Sequence, residues 1–311
     1  MKKYTIGVDI GGGHILSAAI DTSRNELLAH TKRYAKVDNK GSLDEILTSW
    51  SEALNQTIEV VNEEEIAGIG FAMPGAFNYK EGVGKFEKGN KKYLALYDVH
   101  ITTALKPYLN LEQMVPFRYL NDATSFAVGE AWVGKAKGSS KSIAITLGTG
   151  LGSAFIDSGV PVVKREDVPT EGCLWHLPFK EALVDDYFST RWFTNTFHKR
   201  FGQSITGVKE LADAAADSAE INKLFIEFGE NMGEMFTPWL QKFPAEKIVM
   251  GGNISGAFNL FGPSMLKYFS EHDIQTEVAI SELMEDAALF GSARLFDKSF
   301  WDQVKDHLPT L

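Results

Sequence analysis

The chain has 311 residues, 44% hydrophobic and 12% aromatic, enough to bury a large core yet at the length where one core tends to split into two lobes. Its formal net charge of -10 repels nucleic acid and anionic membranes, so a phosphate site must be built locally from amides, a lysine or a metal. Cys173 is the single cysteine, which excludes an intrachain disulfide and fits a reducing cytoplasm.

The positively charged start Met1 Lys2 Lys3 Tyr4 leads into an apolar run that Asp9 and the following glycines interrupt before it reaches secretory length. No stretch approaches membrane-spanning length. Ile6 Gly7 Val8 Asp9 Ile10 Gly11 Gly12 Gly13, followed by Ser17 Ala18 Ala19 Ile20 Asp21, reads as a strand, a glycine turn and a returning strand. Ser42 and Glu45 form a capping-box pattern ahead of Leu43, Ile46, Leu47, Trp50, Leu54, Ile58 and Val61 at helical spacing. Residues 66–73 read as a buried strand stopped by Pro74 and Gly75. The pattern weakens between Asn78 and Asn110, with a helix expected over 101–109. A strand follows over 114–120, with Asn121 and Asp122 at its end and the helical pattern of Phe126, Val128, Ala131, Trp132 and Val133 next.

A second glycine hairpin repeats the first: Ile143 to Leu147, then Gly148, Thr149 and Gly150, then Ser153 Ala154 Phe155 Ile156 Asp157. Self-similarity over so long an interval argues for two related lobes, and ligands usually sit in clefts between lobes. A long helix is expected through Leu224, Phe225, Phe228, Met232, Met235, Phe236, Trp239 and Leu240. A strand over 247–250 then runs into Gly251, Gly252 and Asn253, where a base or phosphate could approach the backbone. The last apolar helix spans 287–296 and is expected to pack back near the hinge between the lobes. The expected division is an N-terminal lobe, 1–120, with a C-terminal helix 295–311 packing back on it, and a C-terminal lobe, 121–294.

Each candidate site residue has a bland reading beside a chemical one. Glycine turns serve hairpins that bind nothing, but a pair of them, with Gly251 and Gly252, can grip a polyphosphate through backbone amides. Neither a P-loop nor a GxGxxG fingerprint fits, since Gly84 Lys85 and Gly134 Lys135 lack the following Ser or Thr and Leu16 stands where a glycine is required. Asp122 reads as a helix N-cap, a task Asn121 could also perform, or as the general base that takes a proton from a substrate hydroxyl. Asp9 reads as an Asx-turn acceptor or as a carboxylate that orients hydrated Mg²⁺. Glu171, Trp175 and His176 form a group able to bind and stack on a sugar, or an ordinary packed cluster. With one cysteine and scattered histidines, no zinc spacing is present and zinc is not expected.

Taken together, Asp9 Ile10 Gly11 Gly12, Gly70 to Gly75, Asn121 Asp122 Ala123 with Gly129 Glu130, Leu147 to Gly152, Val249 to Ile254 and Asp286 to Gly291 resemble the ROK family of sugar kinases within the actin-like ATPase (ribonuclease H-like) fold, over nearly the whole chain. The resemblance implies a two-lobed α/β fold and ATP- and Mg²⁺-dependent phosphorylation of a hexose or N-acetylhexosamine hydroxyl in an interdomain cleft. It matches Asp122 to the catalytic base and Asn121, Glu171, His176 and Gly75 to the sugar side. It matches Asp9, Gly11, Gly12, Gly13, Gly148, Thr149, Gly150, Gly251, Gly252 and Asn253 to the nucleotide side, with Asp9 holding Mg²⁺ through water. A cytoplasmic homodimer is the default for such an enzyme.

The chain departs from the family pattern at two places. Gly13 and His14 stand where the family usually has Thr after the first glycine pair, so a phosphate-side hydroxyl is missing. Cys173 occupies the place of a family glutamate, Glu171 is displaced, and no cysteine-rich loop separates His176 from Val184. The alternative reading is a sugar-binding regulator or a noncatalytic sugar or nucleotide binder of the same family. Regulators of this family carry an N-terminal helix-turn-helix, whereas here the first strand is expected to start at Tyr4, and the acidic balance opposes DNA contact.

Overall fold

The computed structural model describes residues 2–87 and 92–308. Part of the weakly patterned 78–110 stretch, residues 88–91, lies outside the described residues, as do positions 309–311 of the expected C-terminal helix. Two compact units divide the chain: Met1–Gly134 with Glu285–Leu311, and Lys135–Met284.

In the first unit, β1 (Tyr4–Ile10) and β2 (His14–Asp21) form the expected antiparallel hairpin, in register from Tyr4 with Asp21 to Ile10 with Ile15. The short strands β3 (Glu26–Leu27) and β4 (Arg33–Lys36) extend β2. Helix α1 (Leu43–Ile58) starts at the capping box, with the Glu45 amide donating to Ser42 Oγ and the Ser42 amide to Glu45 Oε2. Its Ile46, Leu47, Trp50, Leu54 and Ile58 are buried, the stripe the spacing predicts.

Strand β5 (Ile66–Met73) then pairs parallel to β1. A small ribbon, β6 (Phe77–Asn78) with β7 (Val83–Gly84), precedes α2 (Ile101–Leu105). The helix expected over 101–109 tightens after Leu105 into a 3₁₀ turn, Lys106–Tyr108, because Pro107 has no N–H to continue the α ladder. Strand β8 (Phe117–Asn121) begins after Pro116 and pairs parallel to β5, and α3 (Asp122–Trp132) follows at once. The order is β3-β2-β1-β5-β8.

The second unit repeats this plan. β9 (Lys141–Leu147) and β10 (Leu151–Asp157) form a hairpin, and β11 (Val160–Pro161) adds to β10. A ribbon, β12 (Pro178–Phe179) with β13 (Ala182–Leu183), leads into α4 (Val184–Tyr187), α5 (Thr190–Phe201), α6 (Val208–Ala214) and the long α7 (Ala219–Lys242). Strand β14 (Lys247–Gly251) pairs parallel to β9, α8 (Phe258–Glu271) follows, and β15 (Glu277–Ile280) closes the order β11-β10-β9-β14-β15. A core of Phe155, Phe188, Phe193, Phe225, Phe228, Phe236, Phe243 and Phe261 fills this unit, and aromatic rings bury the most area per side chain.

The chain returns to the first unit through α9 (Asp286–Arg294) and α10 (Lys298–Val304). Helix α9 is apolar and buried from Ala287 to Ala293 and packs on α3, β1 and β5. Its backbone lies so close that a Cβ at Gly129 would overlap the Ala287 carbonyl, and one at Gly291 the Ser125 carbonyl. The unit boundaries therefore fall at 134/135 and 284/285 rather than at the expected 120/121 and 294/295, since packing holds α3 and α9 to the first sheet.

Candidate active site

Three parallel strands of the first unit end together, with Asp9 in register with Ala72 and Met73 with Asn121, and such carboxyl ends are where α/β sheets present reactive groups. Asn121 performs the capping: its Oδ1 accepts from the Thr124 amide at 3.1 Å, and its Nδ2 donates to the Tyr79 hydroxyl at 3.2 Å. Tyr79 in turn donates to the Met73 carbonyl at 3.2 Å, which braces the turn at exposed Gly75.

With the cap supplied by its neighbour, Asp122 is the first helical residue, one oxygen accepting from the Ala123 amide at 2.8 Å. Burial raises the Asp122 carboxyl above the ordinary carboxylate range, opposed by that amide and by the charge of Lys92. Asp9 is pushed up to about 8, first by burial and then by the charges of Asp122 and Glu285. No described residue donates a hydrogen bond to the Asp9 carboxylate, so its Asx-turn reading has no support. Both acids remain partly open to solvent.

The first glycine turn has its carbonyls tied back. Tyr93 Oη donates to the Gly11 carbonyl at 2.7 Å, Asn39 Nδ2 to that of Gly12, and the Val37 amide to that of Gly13 at 2.9 Å. The amides of Gly12 and Gly13 have no partner among the described residues. None of these glycines has a positive φ, and a Cβ on Gly12 would meet only open space. His14, at the head of β2, stacks on Tyr34 with ring centroids 5.4 Å apart, its Nε2 3.8 Å from Glu285.

The second turn is held in the same manner. The Gly148 carbonyl accepts from the Thr190 amide at 2.8 Å and hydroxyl at 2.9 Å, that of Thr149 from Arg191 Nη1 at 2.8 Å, and that of Gly150 from the Gly148 amide at 3.0 Å. The Thr149 and Gly150 amides have no partner among the described residues. Gly251 pairs with Thr146, which brings Gly251 and Gly252 beside this turn. Gly252 is obligatory in the protein itself: its φ is 82°, and a Cβ would strike the Leu147 backbone. Asn253 is exposed at the start of a short 3₁₀ turn that precedes α8.

Glu171 and His176 belong to the second unit. Glu171 takes a left-handed φ of 59°, with its amide on the Val163 carbonyl. His176 packs edge-on to exposed Trp175 at 5.3 Å. The first unit contains Asp9, Gly11, Gly12, Gly13, Gly75, Asn121 and Asp122, and the second contains Gly148, Thr149, Gly150, Glu171, His176, Gly251, Gly252 and Asn253.

Sequence reasoning missed the residues that brace these turns: Asn39, Tyr79 and Tyr93 in one unit, Asp185, Thr190 and Arg191 in the other. All but Tyr79, which sits six residues beyond the Met73 carbonyl it holds, lie 27 or more residues from what they hold, and no local spacing marks them. Among the described residues no group of three or more His, Cys, Asp or Glu side chains is arranged to hold a metal. The donor-free Asp9, crowded by two other acids, nevertheless fits a hydrated cation held through water.

Two sheets of one strand order, each opening on a glycine hairpin and taking a parallel third strand, define an actin-like ATPase fold. A family model described as the ROK family matches residues 5–165, and the chain belongs to that family. It is 25% identical to a glucokinase of Thermotoga maritima, over 94% of this chain and 97% of the relative. It is 23% identical to an N-acetyl-D-glucosamine kinase of Haemophilus influenzae, over 87% of this chain and 90% of the relative. Among solved structures, a ROK family glucokinase from Streptomyces griseus in complex with glucose and AMPPNP superposes with a TM-score of 0.73 at 22% identity, covering 94% of this chain and 98% of that one. That last likeness carries the fold.

Proposed function

We propose that this chain is an ATP-dependent sugar kinase that transfers the γ-phosphoryl group of ATP to a hydroxyl of a hexose or N-acetylhexosamine. The observation that carries the reading is Asp122, an acid relieved of capping by Asn121 and raised by burial at the carboxyl edge of three parallel strands. Phosphoryl transfer asks little covalent chemistry of a protein and depends on positioning and charge stabilisation. Asp122 accepts the proton of the attacking hydroxyl, and its raised pKa makes it a stronger base than an exposed aspartate. Asn121, Gly75, Glu171 and His176 are assigned to the sugar.

The open amides of Gly12, Gly13, Thr149 and Gly150 are assigned to nucleotide phosphates, with Gly11, Gly148, Gly251, Gly252 and Asn253 shaping the same surfaces. Tying every turn carbonyl back removes the lone pairs that would repel an anion. Open space at Gly12 and Gly148, where neither φ nor internal crowding demands glycine, supports the same assignment. Mg²⁺, held by Asp9 through water, would neutralise phosphate charge during transfer. The relatives named for glucose and N-acetylglucosamine support the substrate class. A cytoplasmic location and a homodimeric state accompany the proposal.

The test is ADP release from purified protein over a panel of glucose, mannose, fructose and the N-acetylated amino sugars, with MgATP. Turnover is expected on at least one of them. Sugar or nucleotide binding with no turnover on any member would favour the noncatalytic reading.

A further inference from the structure

In the second unit a cation touches the glycine turn, and neither motif nor spacing assigns it a role. Arg191 is the second residue of α5, and Thr190 before it spends both its amide and its hydroxyl on the Gly148 carbonyl. The Arg191 guanidinium donates through Nη1 to the Thr149 carbonyl at 2.8 Å and through Nη2 to Asp185 Oδ2. Asp185 is itself fixed to the turn, its Oδ1 accepting from the Leu151 amide at 2.7 Å. The guanidinium is therefore aimed by two contacts that both report the turn's position.

Arginine has five N–H donors, and two are engaged here, which leaves three. The side chain is 48% exposed. On a molecule of formal net charge -10, a polyphosphate needs local positive charge beside the open Thr149 and Gly150 amides, and a planar fork matches phosphate oxygens better than a point charge does. Asp185 offsets part of the cation's charge, yet it also holds the fork in place before any ligand arrives, which lowers the ordering cost of binding.

We propose that Arg191 is a phosphate-binding residue of the nucleotide site, its guanidinium held between the Thr149 carbonyl and Asp185 so that its free donors meet the phosphate chain of a nucleoside triphosphate alongside the Thr149 and Gly150 amides. This rests on the kinase reading above and extends it to a residue outside the glycine clusters.

The experiment is calorimetric titration of the full chain with ATP, ADP and adenosine at low and moderate salt, for the native protein, Arg191→Gln and Arg191→Lys. Gln keeps a donor for the Thr149 carbonyl and loses the charge; Lys keeps the charge and loses the fork. Arg191→Gln is expected to weaken ATP about tenfold or more and to flatten the salt dependence, with adenosine affinity unchanged and Arg191→Lys intermediate. Native-like ATP affinity and salt dependence in Arg191→Gln would overturn the proposal, because Arg191 would then only brace the turn. Equal weakening of ATP and adenosine in Arg191→Gln would overturn it as well. Failure of the native protein to bind ATP would instead sink the kinase reading itself, a distinct result.

Discussion

Asp9 and Asp122 are two acids at one sheet edge whose surroundings raise both, and among the described residues none donates a hydrogen bond to Asp9 that would offset the cost. The native Asp9 carboxyl titrates at about 8 against an ordinary 3.8, so the folded protein holds that proton more tightly than the unfolded chain. Its contribution is full below about pH 4 and is lost as pH rises through about 8. Asp9→Asn, which has no charge to bury, is therefore expected to melt above the native protein at about pH 9 and level with it near pH 4. Thermal scans of both proteins check this, and a constant gap across the range would show that Asp9 does not titrate as described. The sequence exposed these acids because each stands within one residue of a strand's end. It left open which of Asn121 and Asp122 caps α3, since that turns on the Tyr79 hydroxyl, which fixes the Asn121 amide from another segment.

At the scale of elements, α9 shows why close approach matters. Its contact with α3 is backbone on backbone, and a methyl group at Gly291 would overlap the Ser125 carbonyl. Gly291→Ala is expected to cost about 2 kcal/mol, whereas Gly256→Ala, where a Cβ meets nothing within 4 Å, should stay within about 0.5 kcal/mol. Urea unfolding of the two variants measures the difference, and similar midpoints would contradict this packing. Helix α1, strand β5, the two hairpins and α7 were legible because their signals are local: a capping box, strand runs closed by glycine or proline, and a stripe at helical spacing. The sheet that receives α9 was not, because an apolar helix carries no record of which surface it covers.

For the molecule as a whole, the repeated hairpin in the sequence foreshadowed two sheets of identical strand order. The boundaries were less legible because the first unit is discontinuous, borrowing α9 and α10 from the end of the chain, while the second is one contiguous segment with its own aromatic core. Residues 135–284 expressed alone are accordingly expected to melt cooperatively, and residues 1–134 alone are not, lacking the helix that covers β1 and β5. Circular dichroism melts of the two fragments read this out; a cooperative 1–134 would show that α9 is dispensable.

The central claim is that Asp122 deprotonates the sugar hydroxyl, and it is tested most directly by measuring sugar-phosphate formation and ATP affinity side by side for the native protein and Asp122→Asn. The native protein is expected to turn over, and the variant to fall by about a hundredfold or more in kcat with ATP affinity nearly unchanged. Equal turnover by the two proteins would contradict the account.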